Sequence, residues 1–165
     1  MIKRIGIAVV AALAVSVAAH AADVTDKGYF GNWKLNHDKS SASAGAPPPN
    51  RESTRHHEDL GNGFVLVQTK GVNANGASTF QSYVVKADGK HYPMAAQNQT
   101  APQTMMFTFV DAYTVTFVAS TNGKPNSSTP GRRTVSKDGK TMTLDQTGTN
   151  AQGQSYTTHS VFDKQ

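Results

Sequence analysis

Apolar and polar residues alternate along most of the chain after residue 28, a pattern typical of strands that are buried on one side. Tyr113, Val115 and Phe117 fall on one face of an extended chain, while Thr114 and Thr116 fall on the other. Successive side chains of a strand point to opposite faces, so this alternation predicts a half-buried strand. No window of the chain shows the spacing of an amphipathic helix.

Turn signals that contain glycine separate the alternating segments. Asn-Gly and Asp-Gly pairs tolerate the positive φ angles of tight hairpin turns. They occur at residues 62–63, 75–76, 88–89, 122–123 and 138–139. The segments between the turns predict about ten strands. These strands are expected at residues 29–36, 51–58, 64–70, 78–86, 91–96, 104–110, 113–119, 131–137, 141–147 and 155–163.

The short and even connections favour an antiparallel up-and-down meander. Closing such a meander into a barrel removes its unpaired edges. We therefore predict an all-β fold, a single antiparallel up-and-down β-barrel of roughly eight to ten strands. A β-sandwich is the alternative architecture. The barrel domain is expected to occupy residues 22–165.

The first 21 residues have the three regions of a secretory signal peptide. A basic start at Lys3 and Arg4 precedes an apolar run at residues 5–17, and small residues follow at Ala19 and Ala21. The apolar run is too short to span a membrane. We predict a signal peptide at residues 1–21, with no membrane span after its removal. The short signal indicates a bacterial protein that is periplasmic or secreted.

Composition narrows the class of protein further. After the predicted signal the chain has no isoleucine and four leucines, so aromatic, Met and Val side chains must form most of the core. The absence of cysteine excludes disulfide scaffolds and zinc-thiolate sites. The formal net charge of +5 falls to +3 without Lys3 and Arg4. This modest charge is dispersed over turns, so we expect no nucleic-acid partner.

One long irregular stretch, at residues 37–50, interrupts the regular pattern. It is rich in Ser and Ala and ends in three prolines at residues 47–49, which cannot enter a sheet ladder. Two roles fit this stretch: a lid over the mouth of a barrel, or a flexible connector. Residues 68–76 also resemble residues 146–153 in sequence. Two origins fit this echo: one hairpin used twice, or convergence of good turns on the same residues.

The segment Gly31-Asn32-Trp33-Lys34-Leu35-Asn36 lies near the start of the predicted barrel. A Gly-x-Trp there, followed by a β-meander, resembles the lipocalin and fatty-acid-binding (calycin) superfamily. The chain is also similar to small uncharacterised exported bacterial β-proteins that begin Gly-x-Trp-Lys-Leu-Asn. The calycin resemblance implies that Trp33 plugs one end of the barrel. That superfamily often holds a carboxylate with a buried arginine pair, but the adjacent Arg132 and Arg133 must point to opposite faces, so no such pair can be assigned.

Large apolar side chains in the predicted strands are the candidate site. They either line an apolar ligand pocket or fill the core. The set is Phe64, Tyr83, Met105, Phe107, Phe109, Tyr113, Phe117 and Tyr156. The leading hypothesis is therefore non-catalytic binding of a small apolar or amphipathic molecule. The alternative is a cell-envelope protein-interaction module with a filled barrel core and an unknown protein partner.

Nothing in the sequence supports catalysis or a cofactor. The chain has no Gly-x-Ser-x-Gly motif and only two glutamates, Glu52 and Glu58, so neither a serine nucleophile nor a paired-carboxylate site is indicated. The densest polar cluster, residues 55–59, offers two metal ligands per strand face, and a transition-metal site needs three or four. We predict no enzyme, no cofactor and no metal site.

Overall fold

Eleven β-strands and the turns between them make up residues 28–165, the part of the chain that the computed structural model describes. The predicted signal peptide at residues 1–21 lies outside the described residues. The strands are β1 (Gly31–Ala42), β2 (Glu52–Gly61), β3 (Phe64–Val72), β4 (Ser78–Lys86), β5 (Asp88–Ala96), β6 (Gln103–Asp111), β7 (Thr114–Thr121), β8 (Lys124–Pro125), β9 (Gly131–Val135), β10 (Thr141–Thr149) and β11 (Ser155–Lys164).

Two of the three Asn-Gly turns have positive φ at both residues, as their sequence predicts, whereas at residues 75–76 only Gly76 does. Asn62 and Gly63 have φ angles of 54° and 77°, and Asn122 and Gly123 have φ angles of 52° and 74°. Two successive residues with positive φ match the right-handed twist of the flanking strands, which is why such pairs close hairpins. These turns set the register of β2 against β3 and of β7 against β8.

The strands close into a ring of ten. Each of β1 to β6 pairs with the next strand in sequence. β7 then pairs with β9, β9 with β10, and β10 with β11. β11 then pairs with β1, and every pairing is antiparallel. The two-residue β8 lies outside the ring and pairs with β7. The prediction of a single up-and-down barrel is confirmed, and the architecture is consistent with a calycin-like barrel.

β1 runs farther than the sequence predicts. We expected irregular chain from residue 37, but β1 continues to Ala42 across a bulge between Asn36 and Ser41. Ser40 bridges this bulge, because its hydroxyl donates to the Asn36 carbonyl at 2.6 Å and accepts the Val161 amide at 2.9 Å. A side-chain hydroxyl thus replaces ladder bonds that alternation alone cannot reveal.

Large side chains fill the core of the barrel. Trp33, Phe107, Met142 and Phe162 are each 2% exposed or less. Rings and thioethers supply this volume because leucine is scarce and isoleucine is absent from the described residues. A cavity lies under residues 43–50, and Phe162 borders it.

Candidate functional site

Most of the predicted pocket residues lie in the packed core. Tyr83, Met105, Phe107 and Phe117 are buried, and Phe109 packs against them while partly exposed. Tyr83 and Phe107 meet edge to face with ring centroids 5.8 Å apart. The structure therefore brings these five side chains together, but as core rather than as the wall of the cavity under residues 43–50.

The other predicted site residues are dispersed. Phe64 is partly exposed and meets Tyr92 edge to face at 6.1 Å, and Tyr113 is partly exposed beside a turn. Trp33 is fully buried near the start of β1, where its indole N–H donates to the Tyr29 carbonyl at 3.3 Å. Of the predicted pocket residues, Tyr156 lines the cavity under residues 43–50.

This cavity has a volume of about 400 Å³ and lies at one mouth of the barrel. Strands β1, β2, β10 and β11 form its walls through Leu35, Ser53, Arg55, Leu144, Tyr156 and Phe162. Residues 43–50, which we call the mouth segment, connect β1 toward β2, and their three prolines lie across the opening. Hydroxyls, one guanidinium and apolar side chains share the lining, so the cavity suits a molecule with both polar and apolar parts.

Arg55 is the charged group of this cavity. Its guanidinium lies 4.8 Å from the centre of the Phe162 ring, and one of its terminal nitrogens donates to the Thr69 hydroxyl at 3.3 Å. Its Nε is buried and has no hydrogen-bond partner. Burial, and then the nearby positive charge of Arg133, lower the pKa of Arg55 to about 10. Arg55 is therefore a partly satisfied cation that faces a space large enough for a ligand.

A second arginine, Arg133, is more fully buried and has more partners, although its Nε, like that of Arg55, is buried without a hydrogen-bond partner. Arg133 is 3% exposed and lies between the rings of Phe107 and Phe117, at 5.1 and 5.0 Å. It donates to the hydroxyl of Tyr83 at 2.8 Å and to that of Tyr29 at 3.4 Å. These contacts stabilise its charge within the protein, so Arg133 supports the core and does not depend on a bound molecule.

His57 completes the polar interior. It is 1% exposed, its Nδ1 lies 3.2 Å from the Tyr29 carbonyl, and its Nε2 has no partner. Burial, and then the positive charges of Arg133 and Arg55, lower the pKa of His57 well below its usual value. His57 is therefore neutral at physiological pH, and the carbonyl contact favours the tautomer with a proton on Nδ1.

No carboxylate offsets these interior cations within residues 28–165. The aspartates and glutamates of this part of the chain are exposed or partly exposed, and none lines the cavity. Asp145 pairs with His159 on the outer wall, at 2.5 Å, and Asp163 pairs with Lys39 at 3.0 Å. The barrel interior consequently carries positive charge that has no opposite charge beside it.

Sequence reasoning considered Arg133 and the cluster at residues 55–59, but it did not place Arg55, Arg133 and His57 in the barrel interior. Strand β2 has almost no apolar residues, so alternation could not show which of its faces points inward. The register decides this, because Arg55 pairs directly with Trp33 and Arg133 pairs directly with Leu144, and directly paired residues share a face. Arg132 and Arg133 do point to opposite faces, and the cation that shares the interior with Arg133 is the partly buried Arg55, from a distant strand.

Other kinds of site find no support within residues 28–165. No three His, Asp or Glu side chains in this region are grouped closely enough to hold a metal ion. The same region contains no helix long and apolar enough to cross a membrane. Comparison with protein-family models, with curated proteins and with solved structures finds no match to the chain. The class of protein is therefore defined by its own architecture, a ten-stranded barrel with a cationic cavity at one mouth.

Proposed function

We propose that this protein is an exported, non-catalytic binding protein for a small amphipathic molecule with an anionic group, held in the mouth cavity of its barrel. The observation that carries the proposal is the position of Arg55. Its guanidinium lines the cavity, its Nε lacks a partner, and no described carboxylate reaches it. The Nε is buried, so an anionic oxygen of a ligand would accept from the terminal nitrogens, at the part of the guanidinium that lines the cavity.

The energetics of burial support a bound anion. Removing a charged group from water costs on the order of several kcal/mol when it is complete, and less for a partly buried group such as Arg55. Without an opposite charge the fold bears this cost alone. A ligand carboxylate or similar group would offset it with charge-assisted hydrogen bonds, which are stronger than neutral ones.

The rest of the cavity supports an apolar portion in the same ligand. Leu35, Leu144 and Phe162 contribute apolar wall, and the prolines of the mouth segment cover the opening. A volume of about 400 Å³ falls in the usual range for small-molecule sites. We therefore place the anionic group at Arg55 and the apolar part between the walls and the mouth segment.

The arrangement of the histidines and carboxylates supports a role in binding without catalysis. The closest His–carboxylate pair, His159 with Asp145, lies on the outer wall and does not line the mouth cavity. His57, the buried imidazole, has a depressed pKa and no carboxylate partner. Neither group is placed to activate a nucleophile on a molecule in the cavity.

The test is calorimetric titration of residues 22–165 with three ligands that share an eight-carbon tail: octanoate, octanol and octyltrimethylammonium. We expect octanoate to bind most tightly. Arg55→Gln should weaken octanoate binding about tenfold or more, because a hydrogen bond to a charged group contributes about 1.5–3 kcal/mol. Octanol binding should change little in the same variant.

Arg132→Gln is the matched control, since it removes the same charge from the exposed face of β9. It should leave octanoate affinity unchanged. Equal affinity for all three ligands, or an octanoate affinity that Arg55→Gln does not reduce, would contradict the proposal. Native mass spectrometry of protein purified from a periplasm would in addition show whether an anionic molecule accompanies the chain.

A second candidate function rests on the opposite end of the barrel. Leu60 and Val110 are about half exposed, at 47% and 53%, beside the β2–β3 and β6–β7 turns. Alternate turns of an up-and-down barrel lie at the same end, so these two apolar side chains share one rim. This rim favours the cell-envelope interaction module. Leu60→Ser with Val110→Ser should then abolish crosslinking to a partner without changing octanoate affinity.

A further inference from the structure

The mouth segment is held to the barrel unevenly along its length. At its start, Ser43 pairs with Thr157 of β11 through two hydrogen bonds, of 3.0 and 2.9 Å. Just past its end, Arg51 donates its backbone N–H to the Val72 carbonyl at 2.8 Å and its Nε to the Ala74 carbonyl at 3.0 Å. These two positions are firm anchors for the segment between them.

Between the anchors, a single hydrogen bond joins residues 44–50 to the barrel within the described part of the chain. The side-chain amide of Asn150, in the β10–β11 turn, donates from Nδ2 to the Gly45 carbonyl at 3.1 Å. The three prolines have no N–H to donate, and the Ala46 amide bonds within the segment, to Ser43. Movement of residues 44–50 away from the cavity therefore requires loss of one hydrogen bond to the barrel.

Asn150 has a structural twin that makes no such contact. The Oδ1 of Asn150 accepts the amides of Gln152 and Gln154, and the Oδ1 of Asn73 accepts those of Asn75 and Ala77 in the β3–β4 turn. Backbone bonds match as well, since each turn pairs its asparagine with the residue four positions later. The two turns lie in the two segments of similar sequence.

The difference between the twins lies in the amide nitrogen. Asn150 Nδ2 donates both to the Gly45 carbonyl and to Gln154 within its own turn, at 3.1 Å each. No hydrogen bond from Asn73 Nδ2 is found within residues 28–165. The Oδ1 of each asparagine thus builds its turn, and the Nδ2 of Asn150 has the additional contact with the mouth segment.

We propose that the mouth segment is the entrance gate of the cavity and that the side-chain amide of Asn150 is the latch that holds it closed. This inference rests on the proposed function, because a gate has a role only if a ligand enters and leaves the cavity. The anchors at Ser43 and Arg51 act as hinges, and Asn150 is a positioning residue that does not line the cavity.

The experiment uses a reporter that needs no ligand. Ser53 is 5% exposed and lines the cavity, and the chain has no cysteine, so Ser53→Cys places a single thiol behind the gate. The rate at which this thiol reacts with iodoacetamide measures opening. Asn150→Asp keeps the oxygen that caps the turn and replaces the donor with an acceptor that faces the Gly45 carbonyl. Asn73→Asp makes the same change in the twin turn.

We expect Asn150→Asp to accelerate labelling of the thiol at position 53 about three- to tenfold, the range that loss of one hydrogen bond gives. Asn73→Asp should leave the rate unchanged. Octanoate should associate and dissociate faster with the Asn150→Asp variant, with little change in affinity. If Asn150→Asp does not fold, Asn150→Ser and Asn73→Ser repeat the comparison with a hydroxyl that caps the turn and is too short to reach Gly45.

Equal labelling rates in all three proteins would overturn the gate, as would acceleration by both substitutions to the same extent. Labelling and ligand binding separate the two proposals. If octanoate fails to bind while Asn150→Asp still accelerates labelling, the proposed ligand class is wrong and the gate stands. If octanoate binds through Arg55 while labelling is unchanged, the proposed function stands and the latch is wrong.

Discussion

At the scale of single residues, the polar groups of the interior differ in how many hydrogen-bond and ring partners each has. Arg133 has two tyrosine hydroxyls and two phenylalanine rings around its guanidinium. Arg55 has one hydroxyl and one ring, and it faces the cavity. His57 has a single carbonyl contact and no charge. The least satisfied cation is thus the one that a ligand can reach.

His57 makes stability depend on pH. Its folded pKa lies well below the unfolded value near 6.5, so the unfolded chain binds a proton that the folded barrel excludes. The contribution is present above pH 6.5 and is lost as pH falls below it, by up to about 1.4 kcal/mol per pH unit. We expect urea unfolding to show this loss as pH falls below about 6.5, and His57→Gln to remove most of it.

His56→Gln is the control for this experiment, because His56 is partly exposed and contacts Asn32 on the outer face. A pH slope that His57→Gln removes and His56→Gln leaves in place identifies His57 as its source. Aspartates with lowered pKa, such as Asp88 and Asp163, act at lower pH because their unfolded pKa is near 3.8. A pH slope that persists unchanged in His57→Gln would show that another group carries it.

At the scale of elements, strand β9 shows how a glycine sets the packing of its neighbour. Gly131 pairs directly with Phe117 of β7. A Cβ at Gly131 would overlap the Cζ atom of the Phe117 ring. The Phe117 ring therefore covers the bare backbone of β9, and the same ring then lies beside the guanidinium of Arg133.

Gly131→Ala should destabilise the barrel by overpacking. We expect a loss of about 2 kcal/mol in the free energy of unfolding, because the ring must leave its position in a filled core. Phe117→Leu removes the clash, so the double variant should lose less than the sum of the single variants, with a coupling of about 1 kcal/mol. Denaturant titration of the four proteins measures this, and strict additivity would contradict the mechanism.

At the scale of the whole molecule, closure joins the beginning of the described chain to its end. β1 pairs with β11, the Gln165 amide donates to the Asn32 carbonyl at 2.9 Å, and Lys164 Nζ donates to the Gly28 carbonyl at 3.1 Å. Closure of the barrel pairs the backbone N–H and C=O groups of the edge strands, which an open meander would leave exposed. It also places Arg55 of β2 and Arg133 of β9 in one interior.

Because residues 28 and 165 lie close together, a circular permutant should fold. We expect a chain opened between Asn122 and Gly123, with a short Gly-Ser linker from residue 165 to residue 28, to keep its β-sheet circular dichroism and its octanoate affinity. Gly123 has open space around it, so the cut removes no packing. A permutant opened between Phe117 and Val118, inside β7, should fail to fold.

The strands were predictable because hairpin barrels depend on local signals. Alternation and Asn-Gly turns are properties of neighbouring residues, and they located ten strands close to their observed bounds. β1 was underestimated because the Ser40 hydroxyl that bridges its bulge bonds to Val161, far away in sequence. The cavity residues were mostly missed for a similar reason, since Arg55 and Leu144 meet only through the register of separate strand pairs.

The sequence by itself determined the all-β class, the order and approximate limits of the strands, and the dependence of the core on aromatic and Met side chains. These follow from spacing and composition, which the unfolded chain already has. Only the tertiary structure decided which face of β2 points inward, and that Arg55 and Arg133 share an interior without carboxylates within residues 28–165. It also decided that the side chain of Asn150 donates a hydrogen bond to Gly45, whereas no such bond from Asn73 is found in the described residues. The physical reason is that the positions of these side chains depend on ring closure and on the register between strands, which no single segment specifies.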